Sequence, residues 1–167
     1  QLTGDAGELT QVQINNLLSD SGKSGETDAN KLTFIQNLIN YLRGDRSNED
    51  TLFRKRTHVL GDIIHSTPMY GQSITDKRPF VIVGSNDGMV HVFDAHGTKA
   101  TNGGKEIFAY VPSQSLRASS NISTPESLAA YAKSDYQTKH RYYVDGDISL
   151  ATINDNKQRM AFGALGQ

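Results

Sequence analysis

The stretch VGSNDGMVHVFDA, residues 83–95, decides the fold class of this 167-residue chain. Two short apolar runs flank Ser-Asn-Asp-Gly, and the side chains of each run alternate between two faces, as they do in a strand. Asp87-Gly88 is a pair that supplies the positive φ angles of a tight turn. The stretch therefore predicts a β-hairpin.

Further strand-like runs surround this hairpin from residue 58 onward. They are short, rich in β-branched and aromatic residues, and separated by Gly, Asn, Asp, Lys and Pro. The first four runs predict an antiparallel meander, and Asn154-Asp155-Asn156 predicts the turn between the last two. The predicted strands are 63–70, 80–83, 89–93, 106–111, 141–144, 148–153 and 159–162.

Two helices are predicted before the strands. The first begins at Thr10, where Gln13 can complete a capping box, and runs to about residue 19. The polar segment 19–30 is then a connection. The second helix has Asp28 as its cap and Gly44 as its stop, with apolar residues at three- and four-residue spacing. These apolar residues are Leu32, Ile35, Leu38, Ile39 and Leu42.

The strand pattern lapses between residues 112 and 140, which we interpret as an insertion. Within it, Thr124-Pro125-Glu126 is typical of a helix start and predicts a short surface helix over about 125–133. The predicted organisation is a helical segment over 1–57 that leads into the opening blades of a β-propeller over 58–167, with insertion 112–140.

The propeller interpretation depends on an internal repeat. Gly61-Asp62-Ile63 and Gly146-Asp147-Ile148 open similar segments about 85 residues apart, and four-stranded units of about 40 to 50 residues are typical of propeller blades. We predict a mainly β fold with one complete four-stranded antiparallel blade and part of a second, preceded by two short α-helices. We expect the rest of the ring to lie beyond Gln167.

Composition excludes some classes of function. The 17 basic and 18 acidic residues nearly balance, which argues against a nucleic-acid partner. There is no cysteine, so neither a disulfide nor a thiolate metal site is available. The apolar runs are far shorter than the roughly 20 residues that span a bilayer, so no transmembrane segment is predicted.

Several strings occur in an order that resembles one family. RGDRSNEDTLFRKRTHVLGDIIHSTPMYG, VIVGSNDGMVHVFDAHGTKATNGGKEIFAYVPS and HRYYVDGDIS are similar to the PilC/PilY family of type IV pilus tip-associated adhesins and biogenesis factors, at the entry to the C-terminal β-propeller. The resemblance implies a secreted virulence factor without catalytic activity. It would act at the bacterial cell surface, the pilus tip or the outer membrane, and its partners would be type IV pilus components and an unidentified host-cell receptor.

The resemblance also implies calcium in the full-length family. No D-x-[DN]-x-[DN]-G-x₅-E register occurs here, and Asp145-Gly146-Asp147 and Asn154-Asp155-Asn156 lack its spacing. We therefore assign no cofactor to this chain and expect the family's calcium loop elsewhere.

Arg43-Gly44-Asp45 is the tripeptide that integrins recognise, and it is one candidate partner-binding site. The competing interpretation is helix termination, with Gly44 in the left-handed conformation and Arg43 at the negative end of the helix dipole.

Asn86-Asp87-Gly88 could bind a cation, although such a triplet more often only forms a turn. Five histidines show no metal-ligand spacing, and Gly22-Lys23-Ser24 lacks the first glycine of a phosphate-binding loop.

The insertion offers the second candidate surface, because propellers bind partners through loops held by rigid sheets. Aromatic and basic side chains dominate interface energetics. They are Arg117, Tyr131, Tyr136 and Lys139. The alternative, left open by the sequence, is that Leu116, Leu128 and Tyr131 only cover an edge.

Two other functions are compatible with a propeller. A quinone-dependent dehydrogenase of the PQQ type has similar strand-turn-strand-Asp repeats, but such enzymes stack their cofactor on tryptophan, and this chain has none. The other is a generic propeller interaction scaffold, which does not need the string LGDIIHSTPMYG.

Overall fold

The computed structural model describes residues 9–97, 101–117, 127–154 and 157–165. Its elements are α1 (Gln11–Asp20), α2 (Asp28–Leu42), β1 (Met69–Gln72), β2 (Pro79–Ser85), β3 (Met89–Asp94), β4 (Glu106–Tyr110), β5 (Ile148–Ile153) and β6 (Gln158–Gly163). Three 3-10 helices span Ser113–Leu116, Leu128–Ala132 and Tyr136–Thr138. The predicted mainly β fold, with one complete four-stranded sheet and part of a second after two helices, is confirmed.

The chain divides into two compact units. Residues 1–61 and 112–141 form the helical unit, and residues 62–111 and 142–167 form the sheet unit. The described residues of the insertion, 112–117 and 127–140, thus pack with the N-terminal helices.

The helices begin where polar side chains can satisfy the first backbone amides. Thr10 caps α1 in the predicted capping box, because its side chain accepts from the Gln13 amide while the Gln13 side chain accepts from the Thr10 amide. For α2 the cap is Thr27 and not Asp28, which is the first helical residue and places its carboxylate near the positive end of the helix dipole. Of the predicted apolar stripe, Leu32 is 55% exposed and the other four residues are buried.

Two arginines hold the helical unit together. The buried Arg56 guanidinium lies 3.7 Å from the centre of the Tyr41 ring and pairs with Glu49 at 2.8 Å. Arg54 donates from its backbone amide to the Ala132 carbonyl and from Nε to the Tyr131 carbonyl at 2.7 Å. The insertion is therefore fastened to the segment that follows α2.

The short surface helix predicted over about 125–133 is wrong in type and in its exposure to solvent. The structure has a 3-10 helix at Leu128–Ala132, and all five of its residues are buried. The run Leu-Ala-Ala-Tyr-Ala carries no polar face, so it serves as core for the helical unit. The predicted start, Thr124-Pro125-Glu126, lies outside the described residues.

The four-stranded sheet has the order β1-β2-β3-β4, and all its pairs are antiparallel. Ser85 pairs with Met89, so the hairpin loop has three residues and not two. Gly88 alone takes a positive φ, of 88°, while the Asp87 carboxylate accepts from the Met89 amide at 3.2 Å. The predicted hairpin forms. Asp87 stabilises its loop through the hydrogen bond that its carboxylate accepts, and its own backbone is not left-handed.

Two predicted strands differ from the structure. The run 63–70 becomes a strand only at Met69, and residues 141–144 form no strand. The Asn86 amide donates to the Asp62 carbonyl, and the backbone amides of His65 and Thr67 donate to carboxylates. The backbone amides of His65 and Thr67 are therefore bonded to side chains and not to a neighbouring strand, which a periodicity of two does not reveal.

The β1–β2 and β5–β6 hairpins have the same ladder register, displaced by a constant number of residues. Met69 pairs with Ile82 in the first hairpin, and Ser149 pairs with Phe162 in the second. The displacement is 80 residues, the same separation that two hydrogen bonds of the sheet unit span. The equivalence of Gly61 with Gly146 is therefore wrong, because Gly146 corresponds to Ser66.

The β5–β6 hairpin packs against one face of the four-stranded sheet. Ile82, Val92 and Ile148 form the buried cluster between them, with Leu150 packed against it. A Cβ at Gly71 would lie 2.6 Å from the Phe80 ring and 2.9 Å from a Leu150 methyl. Glycine at this position lets Leu150 lie against β1.

Candidate functional site

Arg43-Gly44-Asp45 forms the end of α2. Arg43 is the C-cap and Gly44 has a φ of +107°. The Gly44 amide donates to the Tyr41 carbonyl and the Asp45 amide to the Asn40 carbonyl, which is the hydrogen-bond pair of a Schellman motif. The helix-termination interpretation is confirmed as a local structure.

The same turn leaves both charged residues of the triplet exposed. The Asp45 carboxylate accepts from the Ser47 amide at 2.8 Å, and this hydrogen bond holds the pKa of Asp45 below its usual value. Asp45 therefore stays ionised, next to the exposed Arg43. The two charged residues of the triplet are therefore exposed at the end of a helix and not at the tip of a loop.

The four candidate residues of the insertion separate into two pairs. Tyr131 and Tyr136 are 3% and 4% exposed, and their rings make an edge contact with centroids 5.0 Å apart. The Arg54 guanidinium lies within 4.7 Å of both ring centres. Burial removes both rings from the side chains that a partner could contact, and it places Tyr131 in the core of the helical unit. Arg117 and Lys139 are exposed.

A buried polar cluster surrounds the β2–β3 loop. The His91 ring lies between two carboxylates, with Nδ1 at 2.7 Å from Glu106 and Nε2 at 3.1 Å from both oxygens of Asp87. Burial lowers the pKa of His91, but the hydrogen bonds and charges of Asp87 and Glu106 outweigh it, so the pKa lies above its usual value. The His91 ring thus joins the loop to β4.

A second polar cluster precedes β1 and β5. The Asp145 carboxylate accepts from the His65 amide at 3.1 Å and also contacts His65 Nδ1. The Asp147 carboxylate accepts from the Thr67 amide at 3.0 Å, and the contacts of Thr67 lower the pKa of Asp147. We call these four residues the lead-in cluster. Each of its two backbone hydrogen bonds joins residues at equivalent positions of successive repeats.

A third group of charges lies at the end of β3. The buried Asp94 carboxylate accepts from the His96 amide at 2.9 Å and from two nitrogens of Arg78. The His96 amide is the main cause that lowers the pKa of Asp94 to about 2, and Arg78 adds to it. The ion pair of Arg78 and Asp94 thus joins the residue before β2 to the end of β3.

An open cleft of about 340 Å³ lies within the sheet unit. Its floor is apolar and its rim carries two arginines, of which Arg78 is paired with Asp94. The residues that shape it include Phe80, Val92, Phe108, Leu150 and Arg159. Sequence reasoning missed this cleft, because it depends on the packing of two hairpins 80 residues apart.

The described residues contain no group of three metal-ligating side chains placed to hold an ion. His65, His91 and His96 each contact a carboxylate instead. Asn86-Asp87-Gly88 forms the hairpin loop. Within the described part of the chain, no helix has the length and apolarity needed to cross a membrane.

Comparison with known proteins gives the family. Residues 60–167 match the family model described as the PilY1 beta-propeller domain. The chain belongs to the PilY1 β-propeller family. The match covers the whole sheet unit from residue 62 onward. The resemblance found in the sequence strings is thereby confirmed.

Curated relatives carry the same family name. A type IV pilus biogenesis factor PilY1 homolog of Xylella fastidiosa is 36% identical over 77% of this chain, and a second homolog of that strain is 33% identical over 68%. Type IV pilus biogenesis factor PilY1 of Pseudomonas aeruginosa strain PAK is 31% identical over 87% of the chain. The chain spans only 9% to 13% of the length of these three relatives. No solved structure matches it.

These PilY1 relatives are named for pilus biogenesis, and none of the three names is that of an enzyme. The family that this chain matches is therefore the PilY1 β-propeller family and not that of the quinone-dependent dehydrogenases, which the strand repeats also resemble. Within the PilY1 family region, one feature of the sequence could have predicted the lead-in cluster. The acids Asp145 and Asp147 are two residues apart, which is also the spacing between their partners His65 and Thr67.

Proposed function

We propose that this chain forms the opening blades of a propeller in a type IV pilus biogenesis factor that acts as a binding scaffold at the bacterial cell surface. The observation that carries the proposal is the match of residues 60–167 to the PilY1 beta-propeller domain. The four-stranded sheet and the hairpin packed on it supply a rigid support for exposed loops. The scaffold binds pilus components during assembly and is secreted to the pilus tip or outer membrane.

The same scaffold promotes adhesion, and its contact residues are the exposed charged ones. Arg43 and Asp45 flank Gly44 in a fixed turn, where they present a cation and an anion to a host receptor. Arg117 and Lys139 form the second candidate set, since both are exposed in the helical unit. Arginine is enriched at interface positions that dominate binding. Calcium binds in a loop outside this chain, and adhesion contributes to virulence.

The test separates assembly from adhesion by editing the chromosomal gene that encodes this chain. Ile82→Asp places a charge in the core of the sheet unit and should abolish both surface pili and attachment to host cells. Arg43→Ala with Asp45→Ala should preserve pili and reduce attachment at least about fivefold, because it removes the charges without touching Gly44. Arg117→Ala with Lys139→Ala tests the second set in the same way.

Lys105→Ala is the matched control, because Lys105 is an exposed cation in the sheet unit outside both candidate sets. Sheared surface pilin measures assembly, and counts of adherent bacteria measure adhesion. Normal piliation in Ile82→Asp would contradict the assembly role. Unchanged attachment in both surface variants would contradict the assignment of adhesion to these four residues.

A further inference from the structure

At three places in the sequence, an aspartate or an asparagine is followed directly by glycine. In such a pair the backbone nitrogen of the glycine can attack the side-chain carbonyl carbon before it, because glycine has no Cβ to hinder the approach. The product is a five-membered succinimide ring. At neutral pH asparagine forms the ring more readily than aspartate, because ammonia leaves more easily than an oxygen of an ionised carboxylate. The three pairs are Asp87-Gly88, Asn102-Gly103 and Asp145-Gly146.

The fold protects the two aspartate pairs. Asp87 and Asp145 are only 1% and 8% exposed. The Asp87 carboxylate accepts from the Met89 amide at 3.2 Å, and the Asp145 carboxylate accepts from the His65 amide at 3.1 Å. Formation of the ring would break these buried hydrogen bonds, so both carboxylates are held in their present state.

Asn102-Gly103 is in the opposite situation. Asn102 is exposed, and it lines an open cavity of about 390 Å³ together with Asp94 and His96. Across the described ranges, neither the Asn102 side chain nor the Gly103 amide makes a hydrogen bond. No hydrogen bond of these two groups therefore has to break before the ring closes, and water can reach the ring to open it.

The packing of the chain also restricts position 103 to glycine. A Cβ at Gly103 would lie 2.5 Å from the carbonyl oxygen of His96 and 2.8 Å from that of Gly97. Atoms do not pack that closely, so a larger residue there would have to displace the backbone. The fold therefore keeps Asn102 next to the residue that makes its side chain most reactive.

We propose that Asn102 is a site of spontaneous modification, at which the asparagine becomes isoaspartate through a succinimide with Gly103. The Gly103 nitrogen gives up its proton and forms a bond to Asn102 Cγ, while the side-chain nitrogen takes up a proton and leaves as ammonia. One water then cleaves the ring. Cleavage at the former side-chain carbonyl gives aspartate, whereas cleavage at the main-chain carbonyl gives isoaspartate, in which the chain continues through the side chain. The reaction needs no other reactant.

Isoaspartate at this position opens the β3–β4 connection. The Gly104 amide donates to the Asp94 carbonyl at 2.8 Å, and the Lys105 amide donates to the Asn102 carbonyl at 3.1 Å. Isoaspartate adds one backbone atom directly before Gly103, at a place where the chain has no room for it. The added atom displaces Gly103 and separates both hydrogen-bonded pairs. It also places one more negative charge beside the Asp94 carboxylate.

Peptide mapping of the folded 167-residue chain during incubation at neutral pH measures the modification. Mass spectrometry detects the change from amide to acid, and labelling by protein isoaspartate methyltransferase detects isoaspartate. Asn30 is the matched control, because it is also exposed but lies in α2 and is followed by Lys31. Asn102→Gln is the second control, because its longer side chain closes a six-membered ring much more slowly. A free peptide with the sequence of residues 101–105 gives the rate without the fold.

We expect Asn102 in the folded chain to convert within about threefold of the rate of the free peptide and at least about tenfold faster than Asn30. Asn102→Gln should give no isoaspartate at this position. An Asn102 that stays unconverted while the free peptide converts overturns the proposal, because the fold then protects the pair. Equal conversion of Asn30 also overturns it, because the reaction is then not selective.

The opening of the β3–β4 connection is tested on the converted chain, which its extra negative charge separates by anion exchange. Amide hydrogen exchange at Gly104 and Lys105 should accelerate at least about tenfold relative to the unconverted chain. Freshly purified Asn102→Asp adds the charge without the extra backbone atom and should exchange as the unconverted chain does. Unchanged exchange in chains that contain isoaspartate overturns the proposed opening.

Discussion

The β1–β2 and β5–β6 hairpins have the same ladder register, but their surroundings differ. The β1–β2 hairpin is covered by its successor, and Ile82 is 7% exposed, whereas the equivalent Phe162 is 52% exposed. The close approach at the start of each hairpin is also made differently. Ser66 Oγ accepts from the Gly84 amide at 2.9 Å in the first, while Gly146 lies against Ala164 in the second, where a Cβ would be 2.4 Å from the Ala164 carbonyl oxygen.

This difference shows that two repeats can share the same close approach between strands although their glycines stand at different positions. One of the two facing residues must be small, but either strand can supply it. The ladder register, fixed by strand length and turn length, is what the two hairpins share.

The largest difference between the hairpins is expected at Ile82 and Phe162. Ile82→Ala removes a buried side chain between two hairpins and should lower the free energy of unfolding by about 3 kcal/mol. Phe162→Ala should cost less than about 1 kcal/mol, because half of the ring remains in water. Urea denaturation measures both. Equal losses would contradict the one-sided packing.

The second comparison introduces a larger side chain at Gly71 in β1 or at the equivalent Ala151 in β5. Gly71→Leu should destabilise the chain by about 2 kcal/mol, because the new side chain meets Phe80 and Leu150. Ala151→Leu at the equivalent position should change stability by less than about 0.5 kcal/mol. Thermal and urea unfolding of the pair give the difference. A well-tolerated leucine at residue 71 would mean that Leu150 does not pack there.

How much of this could be read from sequence differs between the parts of the chain. The capping box of α1, the β2–β3 hairpin and the β5–β6 hairpin follow from local chemistry, and the sequence predicts all three. The repeat length does not, because Gly61-Asp62-Ile63 matches Gly146-Asp147-Ile148 in letters but not in register. Likewise, the burial of Tyr131 and Tyr136 depends on Arg54, which is 77 residues from Tyr131.

A smaller effect is expected in the lead-in cluster. Asp145→Ala leaves the His65 amide without its acceptor and should cost about 1.5 kcal/mol, since the carboxylate is buried. Asp147→Ala should cost less, because Asp147 is exposed and water can replace it. Hydrogen exchange should accelerate at His65 in the first variant and at Thr67 in the second. Acceleration at neither amide would contradict the pairing of equivalent residues.

The smallest effect is expected from pH, and it concerns β3 and β4, which only the four-stranded sheet has. The pKa of His91 is raised in the folded state, so its contribution to stability is complete below the unfolded pKa near 6.5 and is lost as the pH rises through the folded value. Unfolding free energy measured between about pH 6 and pH 9 should fall in the wild type and stay flatter in His91→Gln. A parallel fall in both chains would mean that groups other than His91 cause the loss of stability.

The central claim is that successive hairpins, 80 residues apart, pack directly on one another. Nuclear Overhauser contacts from the Leu150 methyl groups test it in one spectrum. The account predicts contacts to the Gly71 Hα protons and to the Phe80 ring. Leu150 methyl groups that show no contact to either residue, in a chain whose β5–β6 ladder is intact, would contradict it.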